Sequence, residues 1–431
     1  MDKNYQEYIR QLNNDELNIR LRSLQRLAEV IKKEDLLKVD KKQEYVNNHI
    51  HTFYSFSPYS PTKAVWEAYA AGLVTCGIVD HDTVSGVKEF VEAGKIIDIA
   101  TTIGMECRVD FLKTPLKGRR INNPDQDNIA YVVLHGIPHT QIDKVEAFIR
   151  PYRKERNKRN KLMVDKINDA MSSFDIFLDF EKDIVAISKY HEGGSVTERH
   201  ILFALAKKIV DKYGKGLPLI KFLKEKMGLE VGNKNEKYLM NIDNEYYIYD
   251  VLAVLKSDTS FFYIDATTEC PDVKDFVKLA DEVGAIPAYA YLGDVKDSVT
   301  GDKRPQKFED AYIEELFALL KDLGFKAITY MPTRNTMEQL IKVKNLCKKY
   351  DFFEISGEDI NSPRQSFVCD IYQKPEFKNL IDSTWALIGH EKISTINSEE
   401  GMFSPKIVAK YPNLQERIEI YKKIGMADWG K

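Results

Sequence analysis

From residue 45 onward, short apolar runs alternate with longer stretches whose apolar positions recur at helical spacing. Ahead of them, Leu17, Leu21, Leu24, Leu27 and Ile31 stand among charged positions, which predicts one or two helices over residues 3–38. "YVNNHIHTF" predicts a strand. "SPTKAVWEAYAAG" predicts a helix with Ser60 as N-cap, Pro61 in its first turn and Gly72 at its end. The alternation continues through strand "VTCGIVDHD", helix "SGVKEFVEAGKII" and strands "ATTIGMECRVDF" and "NIAYVVLHGIP". Residues 140–171 predict a long polar helix, and "TERHILFALAKKIVDKYG" another. Residues 214–260 read as a less regular insertion, rich in lysine and tyrosine, with helical pieces. Strands "FFYIDAT", "AIPAYAYLG", "KAITYMP" and "FFEISGEDI" then alternate with helices over 272–284, 310–324 and 336–350, and "NLQERIEIYKKIG" predicts a last helix. Alternation of this length predicts an α/β protein with a parallel sheet, open or closed into a barrel.

Composition narrows the function classes. The formal net charge is −3 over 431 residues, so there is no global basic field of the kind that holds nucleic-acid duplexes. The five cysteines are scattered without a CxxC, which predicts reduced thiols rather than a disulfide framework or a cysteine zinc site. "MDKNYQEYIRQLNND" has no apolar core of a secretory signal, and no run approaches a membrane span. A cytoplasmic location is the expectation.

The chemistry-bearing residues cluster at predicted strand ends, where α/β barrels carry their sites. His49 and His51 sit at i and i+2 of the first strand and so share a face. Asp80 and His81 close the second, Glu106 lies toward the end of the third, His135 closes the next and Asp359 follows the last. A lone histidine at a strand end is ordinarily a hydrogen-bonded structural residue. Half of the chain's eight histidines gathered at strand ends with acidic partners is a different matter. Imidazole with carboxylate suits Zn²⁺, Mn²⁺ or Fe²⁺, and paired ions a few ångströms apart hydrolyse phosphate esters.

The run "HIHTFYSFSPYSP…GLVTCGIVDHDTVSG…IGMECRVDF" resembles the opening of the polymerase-and-histidinol-phosphatase (PHP) family, with its H-x-H-T motif, its T-D-H-D-like loop and its lone glutamate. "VTERHILFAL", "GAIPAYAYLGD" and "EISGEDIN" resemble later segments, so the likeness covers roughly residues 46–375. It implies a distorted (β/α)₇ TIM-like barrel of the PHP type over 46–395, carrying the 214–260 insertion, with a helical extension over 1–45 and a helical tail over 396–431. It also implies metal-dependent phosphoester hydrolysis by metal-activated water. Carried over by position, His49, His51, Glu106 and Asp359 would supply a first ion, and Glu106 would bridge to a second that also takes His135. Tyr291 stands where the family has a further histidine ligand for that second ion. In the third-ion group His81 is present, but Phe56 replaces an acidic residue and Asn361 a histidine. One or two divalent ions, rather than three, are expected.

Asp80 and His200 are candidates for catalytic roles, and Arg199 with His200 is the first candidate for holding phosphate oxygens. Arg153, Arg156 and Arg159 of "RKERNKRNK" either serve the site or form a solvated helix face. Arg119 and Arg120, in the loop before the His135 strand, either select an anionic substrate or decorate the loop. No P-loop spacing, G-x-S-x-G or paired Cys/His signature is present. Three functions remain open: hydrolysis of a small phosphorylated metabolite or nucleotide, a different metal-dependent reaction on a related barrel, and a non-catalytic metal-binding or regulatory barrel.

Overall fold

The computed structural model describes residues 5–34, 44–295 and 306–427, so residues 3, 4 and 35–38 of the predicted N-terminal helices and 428–431 of the tail lie outside the described residues. An N-terminal pair, α1 (Tyr5–Gln11) and α2 (Leu17–Glu34), precedes β1 (Tyr45–Ile50). Helix α3 (Pro61–Ala70), β2 (Leu73–Ile78), α4 (Val87–Ile97), β3 (Ala100–Asp110) and β4 (Ile129–His135) follow. The long α5 (Ile142–Met171) and α6 (Glu198–Tyr213) lead into α7 (Leu217–Lys221), α8 (Asn233–Met240) and α9 (Tyr247–Leu255). The second run is α10 (Val273–Val283), β5 (Ile286–Tyr291), α11 (Ile313–Leu323), β6 (Ala327–Tyr330), α12 (Met337–Tyr350) and β7 (Phe353–Ser356). Helices α13 (Asn379–Ile396), α14 (Pro405–Lys410) and α15 (Leu414–Met426) complete the chain.

Among the described residues, seven strands form one sheet in chain order, β1 to β7. It is curled, and its two edges meet. Ile50 bridges Ile360 just beyond β7, where the His51 N–H donates to the Ile360 carbonyl at 2.9 Å and the Ile360 N–H to the His49 carbonyl at 3.0 Å. This approach requires Gly357, because a Cβ there would lie 2.5 Å from the His49 nitrogen. The edge contact therefore sets Asp359 beside the two histidines of β1.

The sheet is mixed rather than parallel. β4 runs antiparallel to both β3 and β5, while the other neighbours are parallel. The cause is local: residues 111–128 contain no crossover helix, so the chain turns back from the end of β3 and pairs beside it. "FFYIDAT" is not a strand either. Side chains satisfy its backbone instead. Lys166 donates to the Tyr263 carbonyl, Arg159 to the Ile264 carbonyl, and Gln126 bonds both the N–H and the carbonyl of Ala266.

The largest apolar core packs the outer face of β1–β4, through residues such as Cys76, Met105 and Val132, against the surrounding helices. A second core gathers the C-terminal half of α5 with α6 to α9 and includes Phe56 and Phe262. A third packs α13, α14 and α15 against β5–β7.

Candidate metal centre

The cluster is built from strands whose alternation points alternate residues inward. His49 and His51 share the inner face of β1, and Glu106 points from β3 to meet them, with all three ligand atoms within 4.8 Å of one another. Glu106 Oε2 is the hub, 3.5 Å from His49 Nε2, 3.5 Å from His51 Nε2 and 3.0 Å from His81 Nδ1. Asp359 Oδ1 lies 3.3 Å from His51 Nε2. His81 stacks on His51 with ring centroids 4.4 Å apart. His51 Nε2 is fully buried and makes no hydrogen bond. An orphaned imidazole nitrogen facing two carboxylates is the geometry of a metal ligand, and the N/O donor set suits a divalent transition ion. His49, His51 and Glu106 can hold one.

The electrostatics follow the same layout. Burial opposes charge on His49, but Glu106 and then Asp359 outweigh it and raise its pKa. Burial likewise works against the Asp359 carboxylate, yet the close approach of His51, then His49 and Arg199, hold its pKa well below the usual range. Burial, then the neighbouring His51 and Arg156, pushes His81 well down, so its ring is held neutral.

Asp80 is buried directly behind this cluster rather than in it. Its carboxylate accepts from the Thr52 N–H at 2.6 Å, the Thr52 hydroxyl at 2.5 Å and the Ser55 hydroxyl at 2.6 Å. Ser55 Oγ in turn lies 3.4 Å from His51 Nδ1, so Asp80 fixes the loop that aims His51. "HTFYS" holds both hydroxyls, and that was the available signal.

His135 lies apart from the cluster. Because β4 is antiparallel, its C-terminal end faces away from the ends of the parallel strands. His135 pairs with Gly104 and Ile286, two residues deeper than the Glu106–Val133 level. It shares the inner face, buried, with Nε2 unbonded, and burial and then His49 push its pKa down to about 3. Tyr291 is five residues along β5 from Ile286, about 16 Å from the His135 level. Its hydroxyl donates to Asp310 at 2.6 Å, and burial, then Asp310, pushes its pKa up, against ionisation. The inner-face residue there is Ala290. Thus Glu106, His135 and Tyr291 do not converge.

Phe56 adopts φ 98° and packs against His200, Phe203 and Tyr249. Asn361 donates to Asp359 Oδ1 at 2.5 Å and orients that carboxylate instead of ligating. His200 caps α6, its Nδ1 accepting the Thr197 N–H at 3.0 Å, and burial, then Arg156, lowers its pKa to about 3.

The arginines divide. Arg153, Arg156 and Arg159 of α5 are neither solvated nor free. Arg153 pairs with Glu146, Arg156 with Asp82 and Glu198, and Arg159 with Glu198 and Glu269, which Arg108 also bridges. Arg119 pairs with Glu315 at 2.6 Å and Arg120 with Asp127 at 3.2 Å; neither lines the cleft over the cluster. Arg199 does line it, half-buried and near enough to Asp359 to stabilise the carboxylate.

That cleft is a cavity of about 420 Å³. His49, His81, Glu106 and Asp359 form its floor, and Tyr131, Tyr263 and Lys256 are among its walls. Tyr263 and Lys256 were not anticipated, because an irregular loop and the end of the insertion carry no periodic signal, and Tyr131, on β4, reaches the cleft through a strand direction the letters do not give.

No protein-family model and no curated protein matches the sequence. Solved structures do. A protein from Bifidobacterium adolescentis, provisionally assigned as a metal-dependent phosphoesterase, aligns at TM-score 0.50 with 18% identity over 76% of this chain and 93% of that one. An amidohydrolase from Chromobacterium violaceum, with bound sulfate and no metal, aligns at TM-score 0.50 with 17% identity over 75% and 90%. The chain shares their fold. At such identity the likeness is one of architecture, and the cluster's chemistry rests on its own side chains.

Proposed function

We propose that the chain is a metal-dependent phosphoric ester hydrolase acting on a small phosphorylated metabolite or nucleotide in the cleft above His49, His51 and Glu106. The observation that carries this reading is the buried, unbonded His51 Nε2 converging with His49 and Glu106. His49, His51, Glu106 and Asp359 would hold the ion, which when bound supplies positive charge for phosphoryl oxygens and acidifies water. Arg199 supplies a second cation at the same wall, suited to a non-bridging oxygen. His81, its Nδ1 3.0 Å from Glu106 and its ring held neutral by burial, stands where it would pass a proton between water and the carboxylate. The provisional assignment of the Bifidobacterium protein supports the ester reading.

A different metal-dependent reaction is the second reading. Phe56 and Asn361, at the positions of third-ion ligands, and Tyr291 in place of a histidine favour it, and so does the amidohydrolase with the same fold. The buried free cysteines accord with a reducing compartment, and a cytoplasmic location is part of the proposal.

Protein loaded with Mn²⁺ or Zn²⁺ should hydrolyse chromogenic phosphate esters and leave anilide amides intact. Glu106→Gln should lose at least tenfold in metal affinity, the lower range of about 10–100-fold found even for outer-shell partners, and its activity with it. Wild-type metal content in that variant would remove Glu106 from the ligand set, and amide turnover without ester turnover would favour the second reading.

A further inference from the structure

The cleft over the metal cluster does not end at Asp359. A second cavity of about 370 Å³ opens on the far side of it. The two cavities share Arg199, Lys256, Met331, Asp359 and Asn361, so the ligand-bearing carboxylate and the half-buried arginine form a saddle between them. A ligand phosphate seated at that saddle has open space on both sides.

The second cavity is built rather than incidental. One wall comes from the insertion, with Tyr249, Leu252 and Ala253 of α9 and Tyr238 of α8. The other comes from the segment after β7, where Arg364 lies flat over Tyr238 at 3.6 Å from its ring centroid. Arg364 is held in that position by Asp250 through Nε–Oδ1 at 2.6 Å and Nη2–Oδ2 at 2.8 Å. This bidentate pair locks the insertion to the sheet edge that carries Asp359, and Asp250 itself is buried. The contact thus stabilises a cavity whose inner end is Asp359, beside the metal cluster. The first cavity offers the matching arm, walled by Tyr131 and Tyr263.

From this two-armed cleft we propose that the substrate is a phosphodiester, with one substituent in each cavity and the phosphorus over the saddle, rather than a terminal monoester. The inference rests on the phosphoester reading above and specifies its substrate class. Hydrolysis breaks one P–O bond. Water's oxygen joins phosphorus, one of its protons leaves with the departing alcohol or phenol, and a monoester remains in the other arm. No oxidant or co-reactant is needed.

The test compares bis(4-nitrophenyl) phosphate with 4-nitrophenyl phosphate on the Mn²⁺-loaded full chain. Wild-type kcat/KM should favour the diester by at least tenfold. Ala253→Trp, which fills only the second cavity, should cut diester kcat/KM at least tenfold and leave metal content unchanged. Ser366→Trp, at an exposed position lining the same cavity, repeats the test without a buried change, and thermal melting shows that each variant is folded. Monoester turnover exceeding diester turnover, or diester turnover untouched by both substitutions in folded protein, would overturn the proposal and leave the phosphoesterase reading standing. Hydrolysis of neither ester would overturn both.

Discussion

Glu309 is a buried acid outside the metal cluster that its surroundings hold against ionisation. It is fully enclosed, and its Oε1 accepts the Leu292 N–H at 2.8 Å and the Tyr289 hydroxyl at 3.2 Å while Oε2 has no partner. Burial raises its pKa from 4.5 to about 7. The folded chain therefore keeps this proton to a higher pH than the unfolded chain does. Between pH 4.5 and about 7 the native state binds more protons, so stability falls as pH rises through that window and levels off above it. Glu309→Gln keeps the acceptor and removes the charge. We expect the variant to lack this slope and to exceed wild type at pH 8 by on the order of a few kcal/mol in urea unfolding. Parallel pH profiles would exclude the assignment. At the same scale, the ligand-type residues at the first strands were legible because an i, i+2 pair in a strand must share a face. His135 misled because strand direction, which decides which end of the barrel a residue faces, is not written in the strand's own letters.

Among the elements, the helix with the greatest structural weight was the one without a pattern. Helix α13 buries residues around its whole circumference, from Leu380 and Trp385 to His390 and Glu391, so it has no polar face and no 3.6-residue contrast to detect. Thr102 and the Ile103 N–H both donate to its Glu391, and Asn48 to its Thr384, which ties it to β3 and β1 beneath the cluster. Its crossing with α15 is made at two glycines. A Cβ on Gly389 would strike the Tyr421 carbonyl, and one on Gly425 the Trp385 carbonyl. Gly389→Ala should therefore cost about 1–3 kcal/mol as an overpacking change, although alanine is the better helix former. Chemical denaturation measures it, and a stabilised variant would mean that the helices separate freely. The "FFYIDAT" segment erred in the other direction, because β-type letters predict apolar burial without saying whether a neighbouring strand is there to receive the backbone.

For the molecule as a whole, the cluster joins the two edges of the sheet. His49 and His51 lie on β1, Glu106 on β3 and Asp359 beyond β7, so an ion held by all four would pin the seam where β1 and β7 meet. Binding to the native state alone stabilises it by about 2.7 kcal/mol when free metal is a hundredfold above its Kd. Chelator-treated protein should accordingly melt a few degrees lower than protein given Mn²⁺ or Zn²⁺, and Glu106→Gln should show little of that rise; equal melting of wild type with and without metal would argue against binding at the seam. The α/β class, most helix and strand positions and the His49–His51–Glu106 set were all present in the sequence, because each depends on local spacing or on the side-chain chemistry itself. Tertiary structure alone decided the antiparallel course of β4, the burial of the α5 arginines against Asp82, Glu198 and Glu269, the withdrawal of Tyr291 to Asp310 and the joining of two cavities at Asp359. Each of these depends on which distant segment arrives as a neighbour, and no periodicity along the chain encodes that.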